Sequence, residues 1–124
     1  MKHDGKRVLI VEDELLVAME MEDVLLRRGF IVTDIASTVE QALEAIRQEQ
    51  PDVVMLDLNL QGIPTIPVAE ELNRRGTPFA VVTGYQKQAQ NDPALQQAPL
   101  VLKPWNEATI LQALEQAVAA PPCT

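Results

Sequence analysis

Short apolar runs alternate with longer amphipathic stretches along the whole chain. The runs are residues 8–11, 30–35, 53–56, 79–82 and 100–102. Most are continuous rather than alternating, which is how strands buried on both faces of a parallel sheet read. Residues 30–35 carry Thr33 and Asp34 among the apolar positions, which predicts an edge strand. Between the runs, Val17, Met21, Val24 and Leu25 recur at i, i+4, i+7 and i+8, one core-facing stripe of a helix over 14–28 that Gly29 terminates. Ser37-Thr38-Val39-Glu40 fits a capping box that opens a second helix to about residue 48, with Ala42, Leu43 and Ile46 inward. Proline delays a third helix to about 67–75, ahead of Gly76. Asn106 caps a last helix in which Ile110, Leu114 and Val118 stack. The Gln-rich segment 86–98, with Asn91-Asp92-Pro93 inside it, predicts at best a short helix and a loop. Repeated strand–helix units of this kind build an α/β domain on a parallel sheet.

The 124 residues make one domain with no room for a second catalytic or DNA-binding module. Its core is expected over about 6–119, with tails at 1–5 and 120–124. Eighteen acids against ten Lys and Arg give a formal net charge of -8, which disfavours nucleic acid and anionic membranes as partners. The lone Cys123 excludes an intramolecular disulfide, and the first apolar run is too short for a signal peptide or a membrane span. A soluble cytoplasmic protein is expected.

Ligands of an open parallel sheet gather at the carboxyl ends of its strands. There the chain carries Glu12, Asp13 and Glu14, then Asp57, then Thr83 and Gly84, then Lys103 and Pro104. Converging carboxylates repel one another and call for a cation. With His3 remote in the N-terminal tail, an all-oxygen Mg²⁺ site is the natural answer. Glu14 reads instead as an acid at a helix N-terminus, where negative charge is favourable. Asp57 ends an apolar run that Leu58 and Leu60 continue, so its carboxylate is partly buried and needs a partner. Lys103, directed by Pro104, can neutralise such acids and bind a phosphoryl oxygen, and Thr83 beside Gly84 is a plausible phosphoryl contact.

Val-Leu-Ile-Val-Glu12-Asp13-Glu14, Val-Val-Met-Leu-Asp57-Leu-Asn59, Val-Val-Thr83-Gly84-Tyr85 and Leu-Lys103-Pro104-Trp105, in this order and spacing, resemble the receiver domain of two-component response regulators. The resemblance covers about residues 6–119. It implies a flavodoxin-like (βα)5 three-layer sandwich whose five-stranded parallel sheet has the order 2-1-3-4-5. It further implies that Asp57 accepts a phosphoryl group from a histidine kinase or histidine phosphotransfer protein, in a self-catalysed, Mg²⁺-dependent reaction. Asp13 and Asp57 would ligate the metal, Asn59 through its backbone carbonyl and Glu12 through water, while Lys103 and Thr83 contact the phosphoryl oxygens. A cis Lys103–Pro104 bond is expected. The chain departs from the family at Leu100, where receivers commonly carry a switch Tyr or Phe, and Tyr85 is the substitute candidate because Thr-Gly-Tyr resembles a receiver subgroup.

The expected protein is a receiver without a DNA-binding output, relaying or draining phosphate as a monomer or weak homodimer and acting on a downstream protein that the sequence does not name. Alternatives are a pseudo-receiver that is never phosphorylated and a receiver excised from a hybrid kinase. An aspartyl phosphohydrolase would want a second acid where Asn59 stands, and a flavin carrier would want a phosphate loop after the first strand. Leu15, Met19 and Leu26 form a second apolar line on the first helix. With Ala18, they predict a docking face for the phosphodonor beside Asp57.

Overall fold

Each continuous apolar run becomes a strand. The computed structural model describes residues 5–84 and 92–119. Strands β1 (Arg7–Val11), β2 (Ile31–Ala36), β3 (Val53–Asp57), β4 (Phe79–Thr83) and β5 (Leu100–Leu102) form one parallel sheet in the order β2-β1-β3-β4-β5. Among the described residues the helices are α1 (Leu15–Arg27), α2 (Val39–Glu49), α3 (Ile66–Arg75) and α4 (Glu107–Ala119). None is long and apolar enough to cross a membrane.

Strand side chains alternate between faces, so one sheet feeds two cores. Leu9, Val11, Val54, Leu56 and Val81 pack with Ile46 of α2 and Val68 and Leu72 of α3. Their neighbours Val8, Ile10, Val53, Met55 and Val82 pack with Met21 and Leu25 of α1 and Ile110 and Leu114 of α4. The result is a three-layer sandwich. Burying a Leu or Ile completely stabilises the fold by about 2 kcal/mol relative to leaving it exposed, so both layers are needed to hold the sheet.

The edge strand behaves as its composition predicts. β2 is half-exposed, and its register against β1 slips between Val8 and Leu9, leaving Thr33 as an extra residue. The Thr33 hydroxyl donates to the Val8 carbonyl at 3.3 Å, occupying the interrupted ladder.

Helix ends follow local chemistry with one shift. Thr38 rather than Ser37 caps α2, its Oγ1 accepting from the Gln41 N–H at 3.0 Å, while the Ser37 N–H donates to Gln41 Oε1 at 2.9 Å. The cap therefore sits one residue later than the sequence reading placed it, and the Gln41 side chain returns to the N–H of Ser37, the residue before the cap, rather than to that of the cap itself. Gly76 ends α3 at a left-handed φ of 71°, a conformation costly for residues with a Cβ. Ahead of α4, Asn106 Oδ1 accepts from the Thr109 N–H at 3.0 Å and Thr109 Oγ1 accepts from the Asn106 N–H at 3.0 Å. Residues 93–98 form turns after Asp92, and Leu95 inserts into the α2–α3 core. Tyr85, the expected switch residue, the tail at 120–124 and the first four residues of the tail at 1–5 lie outside the described residues.

Register aligns the carboxyl ends of the strands. Val11 pairs with Leu56, Asp57 with Val82, and Thr83 with Leu102. The residues that follow these pairs therefore emerge along one edge of the sheet.

Candidate functional site

The central strand ends in a carboxylate that is almost wholly buried. Asp57 is 5% exposed, and its two oxygens have separate partners: Oδ1 accepts from the Asn59 N–H at 3.1 Å, and Oδ2 accepts from Lys103 Nζ at 2.8 Å. A buried charge without a partner costs several kcal/mol, and Lys103 removes most of that cost. The lysine is held in turn by its strand. Its N–H donates to the Thr83 carbonyl at 2.9 Å, and the Lys103–Pro104 peptide is cis, as expected.

Glu12 follows β1, anchored by its N–H on the Ala36 carbonyl at 2.9 Å. Its Oε2 accepts from the Glu14 N–H at 3.1 Å, and Oε1 lies 3.5 Å from Lys103 Nζ. Oε1 is fully buried and has no hydrogen-bond partner among the described residues. Burial pushes the Glu12 carboxyl up to about 7, and a hydrogen bond with Asp13 and the charge of Asp57 reinforce the rise against the Glu14 N–H and the Lys103 ammonium. Burial pulls the Lys103 ammonium down, but the hydrogen bond and charge of Asp57, with Glu12, more than offset it and leave the group above its ordinary value.

Asp13 is less buried and points toward a hairpin that follows Asp57. Its Oδ2 accepts from the Gln61 N–H at 3.0 Å. In this hairpin Asn59–Leu60 pairs with Ile63–Pro64, and the two turn residues Gln61 and Gly62 have φ of 54° and 86°. Such a turn favours glycine at its second position, and Gly62 donates its N–H to Asn59 Oδ1 at 2.6 Å.

Glu12, Asp13 and Asp57 each offer a carboxylate oxygen, and these three atoms lie within 4.8 Å of one another. Three carboxylates face one ammonium, a surplus that a divalent cation offsets. The donors are all oxygen, with no imidazole or thiolate, and Glu12 Oε1 is buried without a hydrogen bond, so the set fits a small hard cation such as Mg²⁺. Thr83, 3% exposed, follows Val82, the register partner of Asp57. Glu14 caps α1 only by its backbone, its carbonyl accepting from the Ala18 N–H at 3.0 Å.

Residues 8–115 match the family model of the response regulator receiver domain. This chain belongs to the receiver family. The receiver is 33% identical to the sensory transduction protein LytT of Bacillus cereus over 113 residues, covering 89% of this chain and 46% of LytT. It spans about half the length of LytT and of the transcriptional regulatory protein PdtaR of Mycobacterium tuberculosis, to which it is 27% identical. Its fold superposes on the receiver domain of the PhyR response regulator from Erythrobacter litoralis with a TM-score of 0.86 at 29% identity, covering all of both chains. SdrG from Sphingomonas melonis Fr1 gives a TM-score of 0.80 at 33% identity, with 93% of this chain and 98% of SdrG covered.

The fold thus brings Glu12, Asp13, Asp57 and Lys103 together and sets Thr83 at the same edge. It corrects one expectation on α1. Leu15 and Met19 are 65% and 50% exposed, but Ala18 is completely buried against the sheet and cannot belong to a docking face. Leu16, 75% exposed, takes its place in the apolar patch. Two contributors escaped the sequence reading: Gln61, whose N–H holds Asp13, and Thr65, whose hydroxyl donates to the Asp57 carbonyl at 2.7 Å. The Asn-Leu-Gln-Gly turn following Asp57 was a signal for the first; the second had none.

The Glu12 carboxyl generates a pH prediction for the metal-free receiver. A carboxyl raised from 4.5 to about 7 on folding costs no stability below 4.5, costs progressively more as pH rises toward 7, and costs a constant amount above it. Glu12→Gln removes that ionisation. The urea midpoint of the variant should therefore rise relative to the native chain across this interval and then run parallel to it; a difference independent of pH would contradict the assignment.

Proposed function

We propose that this receiver accepts a phosphoryl group on Asp57, from a histidine kinase or histidine phosphotransfer protein, in an Mg²⁺-dependent reaction that its own residues promote. The observation that carries the reading is Lys103 Nζ on Asp57 Oδ2 at 2.8 Å, beside a three-carboxylate cluster with one buried oxygen that accepts no hydrogen bond. Residues 1–124 act as one receiver domain in this reading, with its core over 6–119.

The nucleophile is the Asp57 carboxylate, whose Oδ2 accepts from Lys103 Nζ and whose Oδ1 accepts from the Asn59 N–H. A carboxylate oxygen of Asp57 forms an O–P bond as the donor's P–N bond to histidine breaks. The electron pair of the broken bond leaves on the imidazole nitrogen. Asp13, Asp57 and the Asn59 backbone carbonyl would hold Mg²⁺, with Glu12 reaching it through water. When bound, the cation neutralises charge on the phosphoryl oxygens. Lys103 exchanges its carboxylate contact for a phosphoryl oxygen, and Thr83 donates its hydroxyl to another. Hydrolysis reverses the modification: a water oxygen attacks phosphorus, the O–P bond to Asp57 breaks, and phosphate departs. The signal leaves through Thr83 and through Tyr85, two residues further along the sequence.

The phosphodonor docks on α1. Leu15, Leu16 and Met19 open that helix directly after the acidic residues that follow β1, and a solvent-exposed apolar patch of this kind suits a partner helix.

Incubation with Mg²⁺ and acetyl phosphate should add a single phosphoryl group, detected by intact-protein mass spectrometry. Asp57→Asn should abolish that adduct while preserving the circular dichroism spectrum. Undiminished labelling of the variant would sink the assignment. Leu15→Asp should slow transfer from the cognate phosphodonor at least tenfold yet leave acetyl phosphate labelling intact; equal losses in both reactions would give Leu15 a role in folding instead.

A further inference from the structure

Thr65 stands at the N-cap of α3, yet its side chain does not cap the helix. An N-cap threonine ordinarily accepts from the N–H of the second or third helical residue. Neither needs it here. Pro67, the second residue, has no N–H, and the third, Val68, donates to the Thr65 backbone carbonyl at 2.9 Å. The hydroxyl is therefore released from its local task. It donates instead to the Asp57 carbonyl at 2.7 Å, at a residue with no solvent exposure.

That carbonyl belongs to the peptide linking Asp57 to Leu58. On the far side of Leu58, the Asn59 N–H holds Asp57 Oδ1 at 3.1 Å, and the Leu58 carbonyl accepts from the Thr65 N–H at 3.0 Å. Thr65 thus grips two consecutive carbonyls of the segment that aims the Asp57 carboxylate. With Lys103 on Oδ2, the carboxylate has both oxygens directed only while this segment keeps its orientation. Reacting groups displaced by about an ångström lose rates steeply, by up to about a hundredfold.

We infer that Thr65 is a positioning residue for phosphoryl transfer: its hydroxyl fixes the Asp57–Leu58 peptide, and so the attitude of the nucleophile. The inference rests on the reading of Asp57 as phosphoacceptor. It requires no contact between Thr65 and the phosphoryl group.

Three substitutions separate the hydroxyl from the volume around it. Thr65→Val keeps the shape without the hydroxyl, while Thr65→Ser and Thr65→Ala form a pair that differs by the hydroxyl alone. Acetyl phosphate labelling rates at saturating Mg²⁺ should fall about tenfold in the Val and Ala variants, the loss of one well-placed hydrogen bond, and stay within about threefold of native in the Ser variant. The Asn59 amide proton resonance should shift in Val and Ala and return in Ser. Should Val fail to fold, the Ser and Ala pair decides. Native rates in Ala, or an equal loss in Ser and Ala, would overturn the role of the hydroxyl while leaving Asp57 as the acceptor. A native chain that takes no label would instead overturn the acceptor assignment, and the positioning role with it.

Discussion

A single contact, Lys103 Nζ on Asp57 Oδ2, organises the carboxyl edge of this sheet. Asp57 is the last residue of the central strand, flanked by apolar neighbours on both layers, where an unpaired carboxylate would destabilise the fold. Its cation comes from a strand two places away. That works because β4 carries both, pairing with Asp57 through Val82 and with β5 through Thr83. The charge pair is therefore a consequence of strand register, and any slip of β5 by one residue would turn the lysine to the other face.

The same edge is overloaded with negative charge, and the structure handles each acid differently. Asp57 has the lysine and a backbone N–H, Asp13 has the Gln61 N–H of the hairpin, and Glu12 is buried with one oxygen that accepts no hydrogen bond and lies 3.5 Å from Lys103 Nζ. Burial lifts the Glu12 carboxyl toward neutrality. A divalent cation would offset all three at once, and the all-oxygen cluster fits one. The exposed pairs elsewhere differ in kind. Arg27 and Arg28 meet Glu107 between α1 and α4, and Arg74 and Arg75 meet Glu71 within α3, all at partly solvated positions where such contacts contribute little.

Most of this architecture was legible in the pattern of residues. Continuous runs marked the buried strands, Thr33 and Asp34 marked the edge strand, and the acids and lysine after the runs marked the site. The misses have physical causes. Ser37 and Thr38 each have a polar partner three residues on, so two caps competed; Thr38 caps the helix, and Gln41 returns to the N–H of Ser37. Ala18 was assigned to the docking face by proximity to Leu15, although it lies three residues before Met21 and seven before Leu25, on the core stripe; its small side chain gave the periodicity little weight. Thr65 could be placed at a helix start, but its bond to a carbonyl eight residues earlier depends on how the hairpin folds back, which no local spacing encodes.

Chemical trapping of the acceptor tests the central claim most directly. Borohydride reduces an aspartyl phosphate to homoserine and leaves free carboxylates untouched, so the modified position can be read by peptide sequencing in a mass spectrometer. After exposure to Mg²⁺ and acetyl phosphate, the account predicts homoserine at residue 57 and at no other aspartate, and none when Mg²⁺ is chelated. Homoserine at residue 13, or its absence throughout with Mg²⁺ present, would contradict it.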